Sequence, residues 1–201
     1  MPMRVAVCAS GGGSNLGALL EALRGSSLAQ VAVVLSNRAD AGALDRARAA
    51  GIAAEVFSDF RDGAEWLRRL EAHRADLIVL AGYLKLVPSA VIEQYRDRIV
   101  NIHPALLPKF GGPGMYGRRV HEAVVAAGET QSGATVHLVD EVYDRGAILA
   151  QAIVPVLPED DADRLAARVL RAEHHLLPAV VLRAAAAGHL VPLPEPLTFP
   201  A

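Results

Sequence analysis

Cysteine is almost absent: Cys8 is the only one in 201 residues. That excludes an internal disulfide and fits a reducing compartment. Cys8 lies in an apolar run, where a thiol is a small buried hydrophobe rather than a nucleophile. An excess of one charge is also missing. Twenty Lys and Arg against 22 Asp and Glu leave a formal net charge of −2, which argues against non-specific nucleic-acid binding. No apolar run approaches the roughly 20 residues of a membrane span, so no membrane partner is expected. The opening MPMRVAVCASGGG turns glycine-rich too soon for a signal peptide. Neither an internal repeat nor a linker interrupts the chain. The expectation is one soluble, cytoplasmic domain over residues 1–201.

What is present is an alternation. Hydrophobic residues make up 52% of the chain, and they gather in short runs separated by amphipathic stretches. Residues 4–9, 31–35, 53–57, 77–80 and 99–102 read as buried strands. Leu16, Leu19, Leu20 and Leu23 recur at helical spacing over 15–24, residues 40–50 read as a helix stopped by Gly51, and Trp66, Leu67 and Leu70 mark another. Pro88 suits the first turn of a further helix. Continuously apolar strands with helices between them imply an α/β fold: a Rossmann-like, mostly parallel sheet covered by helices on both faces. After residue 130 the pattern changes. Residues 132–139 and 147–156 have no clear helix between them and read as an added antiparallel strand pair. A helical pattern covers 161–187, with Pro178 as its candidate break, and the proline-rich tail from Pro192 reads as an extended strap or a frayed end.

In open parallel sheets, ligands bind outside the carboxyl ends of the strands. That singles out residues 10–15, 82–87 and 101–116. The first, in CASGGGSNLGALL, sets glycines between a strand and a helix N-terminus, where free amides and the helix dipole favour an anion. A dinucleotide fingerprint fails, because the sixth position from Gly11 is Leu16. The Gly-Lys-Ser/Thr of a P-loop is missing too. A phosphomonoester fits the loop; so does a tight packing turn with Ser14 as helix cap.

In the third stretch, VNIHPALLP, Asn101 and His103 end a buried strand on one face. An amide donor beside an imidazole could hold an oxyanion; a strand-end histidine satisfied by backbone bonds is the plainer reading. GATVHLVDEVYDRGAIL puts Thr135 and His137 on one strand face, followed by a loop with Asp140, Glu141 and Asp144. A carboxylate near His103 would raise its pKa and orient its ring. His103, His137 and Asp144 are residue types that hold zinc, but their spacing matches no metal motif and the His174-His175 pair faces two ways on a helix. No metal is expected. A serine hydrolase is disfavoured by the lack of a G-x-S-x-G elbow.

Taken together and in this order, SGGGSNL, LAGYLKLV, NIHPALLP, GATVHLVDEVYDRGAIL and AEHHLLP resemble the phosphoribosylglycinamide formyltransferase family over about residues 4 to 190. The resemblance implies the formyltransferase fold and a folate-dependent step of purine synthesis. The formyl group of 10-formyltetrahydrofolate, the co-substrate, would pass to the amine of glycinamide ribonucleotide without a metal. Asn101, His103 and Asp144 would be catalytic. Gly13, Ser14 and Asn15 would hold the ribonucleotide phosphate, and Glu173 its ribose hydroxyls. Leu84, Lys85, Leu86 and Val87 would line the folate pocket, and the main chain from Asp140 to Asp144 would hydrogen-bond the pterin. Thr135 and His137 would support the trio. The N-terminal half would bind the phosphate and the C-terminal half would contribute to the folate pocket, on a monomer or homodimer.

Two positions depart from that family pattern. Ala105 replaces the serine often found after NIHP, and the arginine expected to contact the folate aligns near Gly63, with Arg61 close by. The glycine-rich residues 111–117 read either as a mobile loop over the nucleotide, with Met115 and Tyr116 near the substrate, or as a plain surface loop. Related functions remain in view. A tRNA-formylating relative would need a further C-terminal domain and a basic surface; a formyltetrahydrofolate hydrolase would need an extra N-terminal domain. A formyltransferase with another acceptor is a third alternative. The last is a non-catalytic nucleotide-binding protein, in which His103 and Asp144 would lie too far apart to interact.

Overall fold

The computed structural model describes residues 1–200, and its eight strands form one sheet in the order β3-β2-β1-β4-β5-β6-β7-β8. Five run parallel: β1 (Met3–Cys8), β2 (Ala29–Ser36), β3 (Ala53–Val56), β4 (Leu77–Leu80) and β5 (Ile99–His103). Then β6 (Gln131–Leu138) pairs antiparallel with β5, and β7 (Ile148–Pro155) antiparallel with β6. The expected mostly parallel sheet with an added antiparallel pair is the observed fold.

Strand alternation divides the core in two. In β1, Val5 and Val7 face one apolar cluster while Ala6 and Cys8 face the other, all fully buried. The first cluster is closed by α1 (Ser14–Ala22), α2 (Gly42–Ala49), α5 (Arg118–Ala126) and α6 (Ala162–Ala187). The second is closed by α3 (Gly63–Ala72) and α4 (Ser89–Gln94), with Trp66 stacked on Phe57 at 4.3 Å. Pro88 does not sit in the first turn of α4 but caps it. Burial pushes the Cys8 thiol far above its ordinary pKa, so it is inert at neutral pH.

One reading changes, one gap is filled and one alternative is settled. Pro178 does not break the last helix, which runs through it for 26 residues. A helix-interior proline costs about 3 kcal/mol. Leu176, Leu177, Val180 and Val181, all fully buried around it, each return roughly 1.5–3 kcal/mol, so packing wins. The chain between residue 117 and β6, unassigned from the sequence, forms α5. The tail is a strap rather than a frayed end: Leu193 donates to the Leu149 carbonyl at 2.8 Å, Phe199 to Ile153 at 3.0 Å, and β8 (Leu197–Thr198) adds a parallel edge to β7.

The strand order reverses between β1 and β4, and the chain opens a crevice there. Ser10 N donates to the Gly82 carbonyl at 3.0 Å, and the Ser10 hydroxyl both accepts from Leu84 N at 3.0 Å and donates to Asn37 at 2.6 Å. One serine thus ties the ends of three strands together. On the far side, a Cβ at Gly133 would lie 1.8 Å from the Ala152 carbonyl oxygen of β7. Gly133→Ala should therefore force β6 and β7 apart and cost roughly 3 kcal/mol or more. Denaturant unfolding checks this, and an unchanged midpoint would rule out so close a strand approach.

Candidate active site

Parallel β5 and antiparallel β6 bring the polar residues together. Their register sets Asn101 opposite His137 and His103 opposite Thr135. His137 Nδ1 lies 2.7 Å from the Leu138 carbonyl and so carries the proton. Its Nε2 then accepts from Asn101 Nδ2 at 3.1 Å, which orients the amide and leaves its second hydrogen for a ligand. Asp144, in the left-handed region at φ 56°, inserts between the two histidines. Its oxygens lie 3.6 Å from His103 Nδ1 and 3.5 Å from His137 Nε2, and it accepts from Gly112 N at 2.9 Å. Such closeness counts against a binding protein with a disconnected His103 and Asp144.

The electrostatics correct one expectation. His103 is not raised but lowered in pKa: burial dominates, and Asp144 and the Phe110 carbonyl only partly offset it. Its Nε2 donates to that carbonyl at 2.8 Å, leaving Nδ1 toward Asp144. For Asp144 the balance reverses. Burial opposes ionisation, but His137, His103 and the Gly112 amide outweigh it and hold the carboxyl below its usual range.

Thr135 does not touch the trio. Its hydroxyl donates to the Ala105 carbonyl at 2.7 Å and accepts from Leu107 N and Gln151 Nε2, both at 3.1 Å. It braces the turn after β5 instead, with every hydrogen-bonding position filled.

A cavity of about 530 Å³ runs from this centre to the glycine-rich loop, lined there by Gly13, Ser14 and Asn15. Ser14 does not cap α1. Gly13 does, at φ 73°, and a Cβ on it would lie 2.7 Å from Ala43 Cα, so both conformation and packing demand glycine. Asn15 donates to Glu173 of α6 at 2.5 Å, while its own Oδ1 is buried without a partner. Burial raises the Glu173 pKa to about 7, against the opposing pull of Asn15. Sequence pattern missed several other lining residues, among them Arg118, His121, Tyr143 and Asp163. The Val120/Val124 spacing of α5 was the signal for the first two.

A second, smaller pocket of about 50 Å³ takes Lys85, Leu86, Val87 and Asp140, while Leu84 lines the large cavity. Tyr83, Asn101, Tyr143 and Asp144 line both. The Asp140 side chain folds back on Val142 N at 2.8 Å. At Gly63 a Cβ would meet Ala90 at 3.2 Å; nearby, Arg61 and Lys85 both lie over the Phe60 ring, at 5.1 and 5.5 Å. Met115 and Tyr116 line the large cavity, as a loop over it requires. Among the described residues, no group of three or more His, Cys, Asp or Glu is arranged to hold a metal, and no helix is long and apolar enough to cross a membrane.

A formyl transferase family model matches residues 3–181. The chloroplastic phosphoribosylglycinamide formyltransferase of Vigna unguiculata is 46% identical over 185 residues, 89% of this chain and 59% of its own length. The chain thus spans less than two thirds of that plant relative. The Haemophilus influenzae protein of that enzyme name is 38% identical over 185 residues, 89% of this chain and 85% of its own. The crystal structure of phosphoribosylglycinamide formyltransferase from Anaplasma phagocytophilum matches with a TM-score of 0.86 at 38% identity, covering 93% of this chain and 89% of that one.

Two outcomes follow from these charges. Glu173 keeps its proton to a higher pH folded than unfolded, so its contribution to stability is complete below about pH 4 and lost as pH rises through about 7. Glu173→Gln keeps the Asn15 contact but cannot ionise. Its stability relative to the parent should rise by about 3 kcal/mol between pH 4 and pH 9, read by denaturant unfolding; a pH-independent difference would refute the buried carboxyl. Asp144→Asn removes the one group holding up His103 by charge. The His103 imidazole should then titrate lower still by NMR, and an unchanged titration would uncouple the pair.

Proposed function

The chain belongs to the formyl transferase family, and on that premise we propose that it transfers the formyl group of 10-formyltetrahydrofolate to the amine of glycinamide ribonucleotide. It does so as one formyltransferase domain over residues 1–201. One observation carries the reading: Asn101 and Asp144 form the wall between a large cavity ending in a glycine-rich loop and a smaller pocket edged by Leu86 and Val87. Two ligands lying on either side of that wall would meet at the trio. The ribonucleotide phosphate takes the amides around Gly13, Ser14 and Asn15, its ribose meets Glu173, and the pterin enters the apolar edge formed by residues 84–87 and the main chain from Asp140 to Asp144.

The substrate amine attacks the formyl carbon. A carbon–nitrogen bond forms and the carbonyl oxygen becomes an oxyanion. The free hydrogen of the Asn101 amide, oriented by His137, stabilises that oxygen. His103 adds positive charge when it is protonated at Nδ1 beside Asp144; its Nε2 hydrogen is taken by Phe110. Asp144, kept ionised, accepts the proton leaving the amine, directly or through water. The bond to the folate nitrogen then breaks, that nitrogen gains a proton, and tetrahydrofolate leaves. Holding both reactants at one wall turns a bimolecular collision into a unimolecular step. No step uses a metal.

A spectrophotometric assay with 10-formyltetrahydrofolate tests the reading. Turnover should appear only with glycinamide ribonucleotide. Turnover without it would make the protein a hydrolase, and none with it would point to another acceptor. His103→Ala and Asp144→Ala should each lower turnover by about 10²- to 10⁴-fold while calorimetric binding of the ribonucleotide persists. Near-normal turnover in either variant would remove that residue from the chemistry.

A further inference from the structure

A phosphomonoester brings nearly two negative charges at neutral pH, and the large cavity is poorly supplied to receive them. Asp144, Asp163 and Glu173 put three carboxyls on its lining, whereas Arg118 is its only lysine or arginine among the described residues. The amides at the start of α1 offer about half a charge. His103 and His121 also face the cavity, but burial lowers the pKa of both. Arg46 approaches the glycine loop from outside: its Nε is spent on the Gly12 carbonyl at 2.7 Å, and it does not line the cavity.

Arg118 differs from its neighbours in how it is held. Arg119 lies over the Tyr116 ring at 5.5 Å. The Arg118 Nε instead sits 3.4 Å from Glu122 and 3.3 Å from Asp163, loose ion pairs with a side chain 59% exposed. Exposed pairs of that kind are worth about 0–1 kcal/mol, so little opposes exchanging them for a stronger partner. A guanidinium meets a phosphate through two parallel N–H bonds, a match neither acid makes here. Asp163, Ala166, Leu170 and Glu173 follow one another along the α6 face of the cavity. They present a carboxyl at each end and nothing cationic between.

We infer that Arg118 is the phosphate-neutralising residue of this cavity, leaving Glu122 and Asp163 to bind the incoming sugar phosphate. That the sugar phosphate is glycinamide ribonucleotide rests on the function proposed above; the charge requirement does not. Asp163 becomes the competitor for the same guanidinium, so phosphate affinity is set by the contest between a carboxylate and a phosphate.

Calorimetry on the whole protein with ribose 5-phosphate and with ribose tests the assignment separately from formyl transfer. Arg118→Ala should weaken ribose 5-phosphate about 10-fold or more and leave ribose unchanged. Arg118→Lys should recover part of the loss, and Asp163→Asn should tighten binding. In the transfer assay, Arg118→Ala should raise KM for the ribonucleotide with kcat and the folate KM preserved. Equal losses for ribose and ribose 5-phosphate would mean a structural role and overturn the inference, as would a loss that follows Arg46→Ala instead. If the parent binds ribose 5-phosphate through Arg118 but never formylates the ribonucleotide, the proposed substrate fails and the phosphate ligand stands.

Discussion

The pairing of β5 with β6 is the constraint on which the site depends. Asn101 faces His137 across the ladder and His103 faces Thr135. In a pleated sheet, a slip of one residue turns every side chain to the other face. Such a slip would bury the Asn101 amide, expose Ile102 and separate both histidines from Asp144. Gly133 helps to fix the register from the far side of β6, because its missing side chain lets β7 close in. Thr135 then converts register into shape by tying down the turn that carries the chain away from His103. The chemistry and the topology are thus set by the same few backbone bonds.

Around that pairing the protein spends stability on charge. His103, Asp144 and Glu173 are all buried or nearly so, and burial opposes the charged form of each, with a different outcome at each. Asp144 stays ionised because the Gly112 amide donates to it and positive charge on a neighbouring imidazole favours it over burial. Glu173 holds its proton toward neutrality because burial outweighs the single Asn15 amide that faces it. Carboxyls with different neighbours thus acquire different protonation states within one cavity. A strained Asp144 backbone at φ 56° is consistent with the same trade, since unfavourable conformations persist where the surroundings enforce them.

Much of this was legible in the sequence, for identifiable reasons. Apolar runs at strand length and leucines at helical spacing are local signals, and they delivered the sheet, the antiparallel pair and five of the helices. Short motifs and the family resemblance pointed to Asn101, His103, Asp144, Asn15 and Glu173, and all five line the large cavity. What stayed hidden was competition between distant terms. Pro178 looks like a break until the burial on both sides of it is weighed. Asp144 beside His103 looks like a raised pKa until desolvation is counted. Ser14 looks like a cap until Gly13 is seen to turn left-handed against Ala43. α5 was missed because its nine residues follow a glycine-rich loop and offer only Val120 and Val124 as an apolar stripe; with it went Arg118 and His121.

The bond between Asn15 and Glu173 joins residues 158 positions apart. Contacts so distant in sequence are made late in folding, after much loop entropy has been lost. On the ribosome, the glycine loop and the first five strands are complete while α6 is still being synthesised. The crevice at the head of the sheet is therefore encoded well before its far wall, and the large cavity is complete only once α6 is present. Any truncation before residue 173 removes Glu173 from the far wall of the cavity and leaves Asn15 without that partner.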